Sequence, residues 1–150
     1  MRTGTATVQV KKRGGAISVS ATGPTKVLVI DDSNTIRRSA ELFLRQAGYE
    51  VILAEDGFDA LAKISDHQPQ VIFVDIMMPR LDGYQTCALI KQNALLKSTP
   101  VIMLSSKDGV FDRARGRLAG SDRYLTKPFT KEALIEAVEQ TAKPAAVSSS

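Results

Sequence analysis

Val71-Ile72-Phe73-Val74-Asp75-Ile76-Met77-Met78-Pro79-Arg80-Leu81-Asp82-Gly83 is the stretch that decides the fold. Residues 71 to 74 are continuously apolar, with no alternation of polar and apolar positions, which marks a strand buried on both faces. The run stops at a carboxylate, Asp75, and Pro79 and Asp82-Gly83 punctuate the chain before a helical pattern begins. Lys26 to Ile30 and Val101 to Ser105 are apolar runs of the same kind, so these three segments read as central parallel strands. Val51 to Ala54 and Arg123 to Thr126 complete a set of five.

Amphipathic stretches separate the runs. The first, after a Ser33 cap, puts Ile36, Ala40, Phe43, Leu44 and Ala47 on one face and stops at Gly48. Others fit Gly57 to Ser65, Gly83 to Gln92, Phe111 to Ala119 and Lys131 to Thr141. Parallel neighbours require right-handed crossovers, so five strands each followed by a helix predict an α/β fold, a doubly wound five-stranded parallel sheet. Such sheets place their chemistry beyond the carboxyl ends of the strands.

The chain has 150 residues and 43% hydrophobic composition, enough for one domain with its own core. Its formal charge of +4 comes wholly from Arg2, Lys11, Lys12 and Arg13, because the sixteen remaining basic residues balance sixteen acids. A nearly neutral body argues against specific nucleic-acid binding. Residues 1–24, rich in Gly, Ser and Thr and lacking acids, read as a flexible basic extension. The alternative is a hairpin of Val8, Val10, Ile17 and Val19 around Gly14-Gly15. Residues 25–143 then form the domain and 144–150 a disordered polar tail. Cys87 is the single cysteine, which rules out an internal disulfide and favours the cytoplasm. No run approaches the roughly 20 apolar residues of a membrane span, so membrane insertion is not expected.

The polar residues at the predicted strand ends form one set: Asp31-Asp32 after the first strand, Asp75 ending the third, Ser105 ending the fourth, and Lys127 after the fifth. Gathered carboxylates repel one another, and a hard divalent cation compensates them. Asp31, Asp32 and Asp75 suit Mg²⁺ or Mn²⁺. Asp75 is also a candidate nucleophile toward phosphorus, with Lys127 pairing to phosphate and the Ser105 hydroxyl donating to it. Each residue alone reads more simply as a turn former, a cap or a surface charge; the joint occurrence points to phosphoryl chemistry.

These motifs resemble the CheY-like response regulator receivers, a flavodoxin-like (βα)5 family. The match lies in Val29-Ile30-Asp31-Asp32-Ser33, in Val74 to Pro79 with Asp82-Gly83, and in Tyr124-Leu125-Thr126-Lys127-Pro128-Phe129. It covers about Lys26 to Thr141. The resemblance implies Asp75 as phosphoacceptor for a histidine kinase, with Asp32, Asp75 and the Met77 backbone carbonyl as metal ligands and Asp31 assisting. It further implies Ser105 and Lys127 on the phosphoryl group, a cis Lys127-Pro128 bond, and Ser105 with Tyr124 as the switch pair. Output then passes to a protein partner through the face of the fourth helix, fifth strand and fifth helix. Met77 and Lys107 are expected to tune the lifetime of the phosphorylated state. Tyr84 to Lys91, Phe58 to Ile64 and Ser105 to Gly109 are similar to PilG-like regulators of type IV pilus twitching motility.

The reading is therefore a stand-alone switch that promotes only its own phosphorylation and dephosphorylation. A phosphate-independent scaffold and a Mg²⁺-dependent aspartate-nucleophile phosphatase are the alternatives. The phosphatase pattern fits less well, because it needs a second Asp two positions after the nucleophile, whereas Asp31 and Asp32 are adjacent. Arg113, Arg115 and Arg117 read either as solvated helix charges or as partner contacts.

Overall fold

A computed structural model describes residues 9–13, 16–20, 24–106 and 110–141. Within the N-terminal segment, strands β1 (Gln9–Arg13) and β2 (Ala16–Ser20) pair antiparallel, with Val10 opposite Val19. The hairpin alternative is thus the geometry seen over these ten residues, while Val8, Gly14 and Gly15 lie outside the described residues, as does the tail from 142 to 150.

The body follows the predicted alternation: β3 (Lys26–Ile30), α1 (Asn34–Gln46), β4 (Glu50–Ala54), α2 (Gly57–His67), β5 (Val71–Asp75), α3 (Gly83–Gln92), β6 (Val101–Ser105), α4 (Val110–Ala119), β7 (Arg123–Thr126) and α5 (Lys131–Thr141). The five strands are parallel in the order β4-β3-β5-β6-β7. The three continuously apolar runs occupy the centre, and the two less uniform ones the edges.

Successive side chains of a strand point to opposite faces, and the core divides accordingly. Leu28, Ile30, Ile72, Val74, Val101 and Met103 pack with Ala60 and Ile64 of α2 and Cys87 and Ile90 of α3. Val27, Val29, Val71, Phe73, Ile102 and Leu104 pack with Ala40 and Leu44 of α1 and Leu134, Ala137 and Val138 of α5. Each of the three central strands contributes to both layers.

Helix α1 opens on Ser33, whose hydroxyl accepts from the Ile36 N–H at 3.3 Å. Ala47, expected on its buried face, is exposed: the helix ends one residue earlier and Gly48 turns the chain away at φ +94°. Helix α3 opens on a capping box between Asp82 and Gln85. Its first residue, Gly83, sits where a Cβ would lie 2.4 Å from the Asp75 carbonyl oxygen. Only glycine lets α3 start this close to the end of β5.

Candidate functional site

Register brings the strand-end residues together. Ile30 pairs with Val74, so the residues that follow, Asp31 and Asp75, lie side by side beyond neighbouring strands. Asp75 pairs with Leu104, and Ser105 with Thr126, which sets Ser105 and Lys127 one step further along the same edge. The Lys127 N–H donates to the Ser105 carbonyl at 2.7 Å and locks this last step.

Asp31 is fully buried, and Asp75 and Ser105 are each 3% exposed. Carboxylate oxygens from Asp31, Asp32 and Asp75 all lie within 4.8 Å of one another. Lys127 reaches into the cluster: its ammonium donates to Asp75 Oδ1 at 2.8 Å and lies 2.9 Å from Asp31 Oδ2. The second contact is an ion pair without hydrogen-bond alignment, so Asp31 Oδ2 has no hydrogen-bond donor. Its other oxygen accepts from the Ser33 N–H at 2.9 Å, and Arg37 donates to the Asp31 carbonyl at 2.6 Å. The Lys127-Pro128 bond is cis.

Burial pushes the Asp75 carboxyl up to about 6, aided by the charges of Asp31 and Asp32 and opposed by the Lys127 hydrogen bond. Burial lowers the Lys127 pKa, but the hydrogen bond to Asp75 and the ion pair with Asp31 prevail and hold it above the ordinary value. Two carboxylates, Asp31 and Asp75, therefore share one ammonium beside a third, Asp32, and a buried Asp31 oxygen is without a hydrogen-bond donor. This donor set is all oxygen, as a hard divalent cation requires.

The loop that follows Asp75 carries residues that periodicity does not reveal. Arg80, at φ +67°, pairs with Asp56 at 2.8 Å and lies 5.1 Å over the Phe58 ring. Met77 is 65% exposed there. Tyr124 is half-buried on β7, with the Arg113 guanidinium 4.9 Å from its ring centroid. Lys107 lies outside the described residues.

The response regulator receiver domain family matches residues 27–139. The chain belongs to that family. Among curated proteins, this receiver is 71% identical over 114 residues to Protein PilG of Pseudomonas aeruginosa, covering 76% of the chain and 84% of that protein. It is 39% identical over 127 residues to the alkaline phosphatase synthesis transcriptional regulatory protein PhoP of Bacillus subtilis, covering 83% of this chain. The receiver spans only about half of PhoP, 52% of its length. Among solved structures, Vibrio cholerae chemotaxis protein CheY4 superimposes with a TM-score of 0.77 at 34% identity, over 79% of this chain and 99% of that one. The BeF3-activated DrrB receiver domain gives 0.71 at 30% identity, over 79% and 97%. The CheY-like fold expected from the sequence is the one found, and no helix among the described residues is long and apolar enough to cross a membrane.

Proposed function

We propose that this receiver is a phosphorylation switch that accepts a phosphoryl group on Asp75 from a histidine kinase. A nearly sealed carboxylate, held by Lys127 and crowded by two further acids at adjoining strand ends, is the observation that carries the reading. Asp31, Asp32, Asp75 and the Met77 carbonyl would hold Mg²⁺ or Mn²⁺, which supplies charge neutralisation on the transferring group. An oxygen of Asp75 attacks phosphorus in line with the donor's imidazole nitrogen; the new O–P bond forms as the N–P bond breaks, and the electron pair leaves with nitrogen. Lys127 then balances charge on the acyl phosphate and the Ser105 hydroxyl donates to a phosphoryl oxygen.

Displacement of Ser105 toward that oxygen, followed by Tyr124, biases the α4-β7-α5 face between two packings that a downstream protein tells apart. Likeness to a receiver that BeF3 activates supports the switch, and 71% identity to PilG supports control of type IV pilus twitching motility as its output. Incubation with Mg²⁺ and acetyl phosphate, read by intact mass, tests the proposal. One phosphoryl group is expected on the wild type and none on Asp75→Asn or in EDTA. No adduct on the wild type returns the chain to the scaffold reading, and steady turnover of a phosphomonoester revives the phosphatase.

A further inference from the structure

Over residues 113–119, whose side chains are described, helix α4 packs differently from the other four helices. Helices α1, α2, α3 and α5 each bury apolar side chains against the sheet. Along residues 113–119 of α4 the buried position is Gly116, and Leu118 is 88% exposed. A Cβ on Gly116 would lie 3.6 Å from Met103 Cγ and 3.8 Å from Tyr124 Cδ2, so backbone rather than a side chain meets the sheet there. Glycine in mid-helix also weakens the helix itself.

The C-terminal end is pinned. The Cys87 thiol donates to the Ala119 carbonyl at 3.4 Å, and Gly120, at φ +101°, lies against the Lys91 side chain. Further up, two arginines lie over tyrosines from different elements. The Arg113 guanidinium is 4.9 Å from the Tyr124 centroid on β7, and that of Arg115 is 4.3 Å from the Tyr84 centroid on α3. Arg113 and Arg115, two of the three arginines that read as solvated or partner-facing in sequence, thus hold α4 down through cation–π contacts.

Tyr84 connects this contact to the acceptor. It is the second residue of α3, 7% exposed, and follows Gly83 directly. The Gly83 N–H donates to the Ile76 carbonyl at 2.9 Å, and the missing Gly83 side chain leaves the α3 backbone resting on Asp75 and Ile76. A displacement of the 75–77 backbone would therefore press on the start of α3, next to Tyr84.

We infer that Arg115 is a positioning residue: its stacking on Tyr84 clasps α4 to the start of α3, and a shift of the acceptor loop loosens that clasp and frees α4. The route runs beside the one through Ser105 and Tyr124, and it rests on the reading of Asp75 as phosphoacceptor. It makes α4 a helix hinged at Ala119-Gly120 and held shut at two tyrosines.

Hydrogen exchange by mass spectrometry on the full chain tests this, with the protein alone, with Mg²⁺, and with Mg²⁺ plus BeF3⁻. Arg115→Gln is expected to speed exchange across residues 110–119 about 2- to 5-fold before any BeF3⁻ is added. The further change on adding BeF3⁻ should fall to less than half of that in the wild type. Arg115→Lys, which keeps the charge without the planar stack, should lie between the two. Arg117→Gln, an exposed arginine of the same helix, should behave as wild type. Wild-type exchange in Arg115→Gln overturns the clasp, and faster exchange with a full-sized BeF3⁻ response overturns the coupling. Intact mass after acetyl phosphate separates the two readings: an adduct on wild type and Arg115→Gln alike, with unchanged α4 exchange, sinks the clasp and leaves the receiver switch standing.

Discussion

The ammonium of Lys127 bridges Asp75 Oδ1 at 2.8 Å and Asp31 Oδ2 at 2.9 Å, two carboxylates almost sealed from water. One positive charge cannot neutralise both, and Asp32 adds a third negative group at the same strand ends. Burial first, and the charges of Asp31 and Asp32 after it, push the Asp75 carboxyl up to about 6 against the pull of Lys127.

That displacement fixes how stability depends on pH. Asp75 titrates near 3.8 in an unfolded chain and near 6 in the folded one. Below pH 3.8 both states hold the proton and the residue is neutral to folding. Between the two values the unfolded chain releases its proton first, so stability falls as pH rises, and above pH 6 the full penalty persists. A displacement of about two pH units corresponds to about 3 kcal/mol. In EDTA, Asp75→Asn should be more stable than wild type by up to about 3 kcal/mol above pH 6, with the gain vanishing toward pH 4. Urea melts from pH 4 to 8 measure it; a gain independent of pH would mean that carboxylate burial is not its source.

Removing the bridge should have the opposite effect. Lys127→Met keeps the aliphatic stem but leaves Asp31 and Asp75 facing each other, and breaking a buried pair costs about 3–5 kcal/mol. Destabilisation of that order is expected at pH 7 in EDTA. Mg²⁺ should restore part of it if, as proposed, the cation is held by the carboxylates that the lysine contacts. An equal deficit with and without Mg²⁺ would separate the metal from this cluster.

The ends of the sheet strands were legible because apolar runs stop abruptly at polar residues. Ile30, Asp75, Ser105 and Thr126 each end their strand where the pattern changes. The gathering of Asp31, Asp75, Ser105 and Lys127 followed, since a parallel sheet puts all carboxyl ends on one edge. Ala47 was misplaced because Gly48 marks the turn but not the last helical residue: the helix closes at Gln46 and Ala47 is its exposed C-cap. The Asp56–Arg80 pair and the Arg115–Tyr84 stack were not legible at all. Each joins segments whose approach depends on strand order and helix docking, and a lone arginine carries no periodic mark of its partner.

Gly83 offers a test of how tightly the acceptor loop and α3 are coupled. A methyl group there would meet the Asp75 carbonyl oxygen at 2.4 Å and the Ile76 Cα at 2.7 Å, both backbone atoms that no rotamer change can move. Overpacking of this kind costs about 1–3 kcal/mol. Gly83→Ala should lose stability in that range and also accept phosphoryl groups from acetyl phosphate more slowly, because relief of the clash displaces Asp75. Lost stability with an unchanged rate of adduct formation would show that α3 yields and the acceptor stays in place.

On the proposed switch, Met77 is expected to influence how long the phosphorylated state lasts. It lies two residues beyond Asp75 and is 65% exposed, and the proposed switch would put it beside water approaching the acyl phosphate. A thioether accepts hydrogen bonds weakly and cannot orient that water, whereas an amide offers both a donor and an acceptor. Met77→Asn should shorten the lifetime of phospho-Asp75 by roughly tenfold, a barrier change of about 1.4 kcal/mol. The decay is followed by intact mass after the phosphodonor is removed, with Mg²⁺ held constant so that the cation's contribution is the same in both proteins. Because the side chain points outward, the substitution should leave the urea midpoint unchanged. An unaltered decay rate in a normally folded variant would reduce Met77 to loop filling and place control of the lifetime elsewhere on the rim.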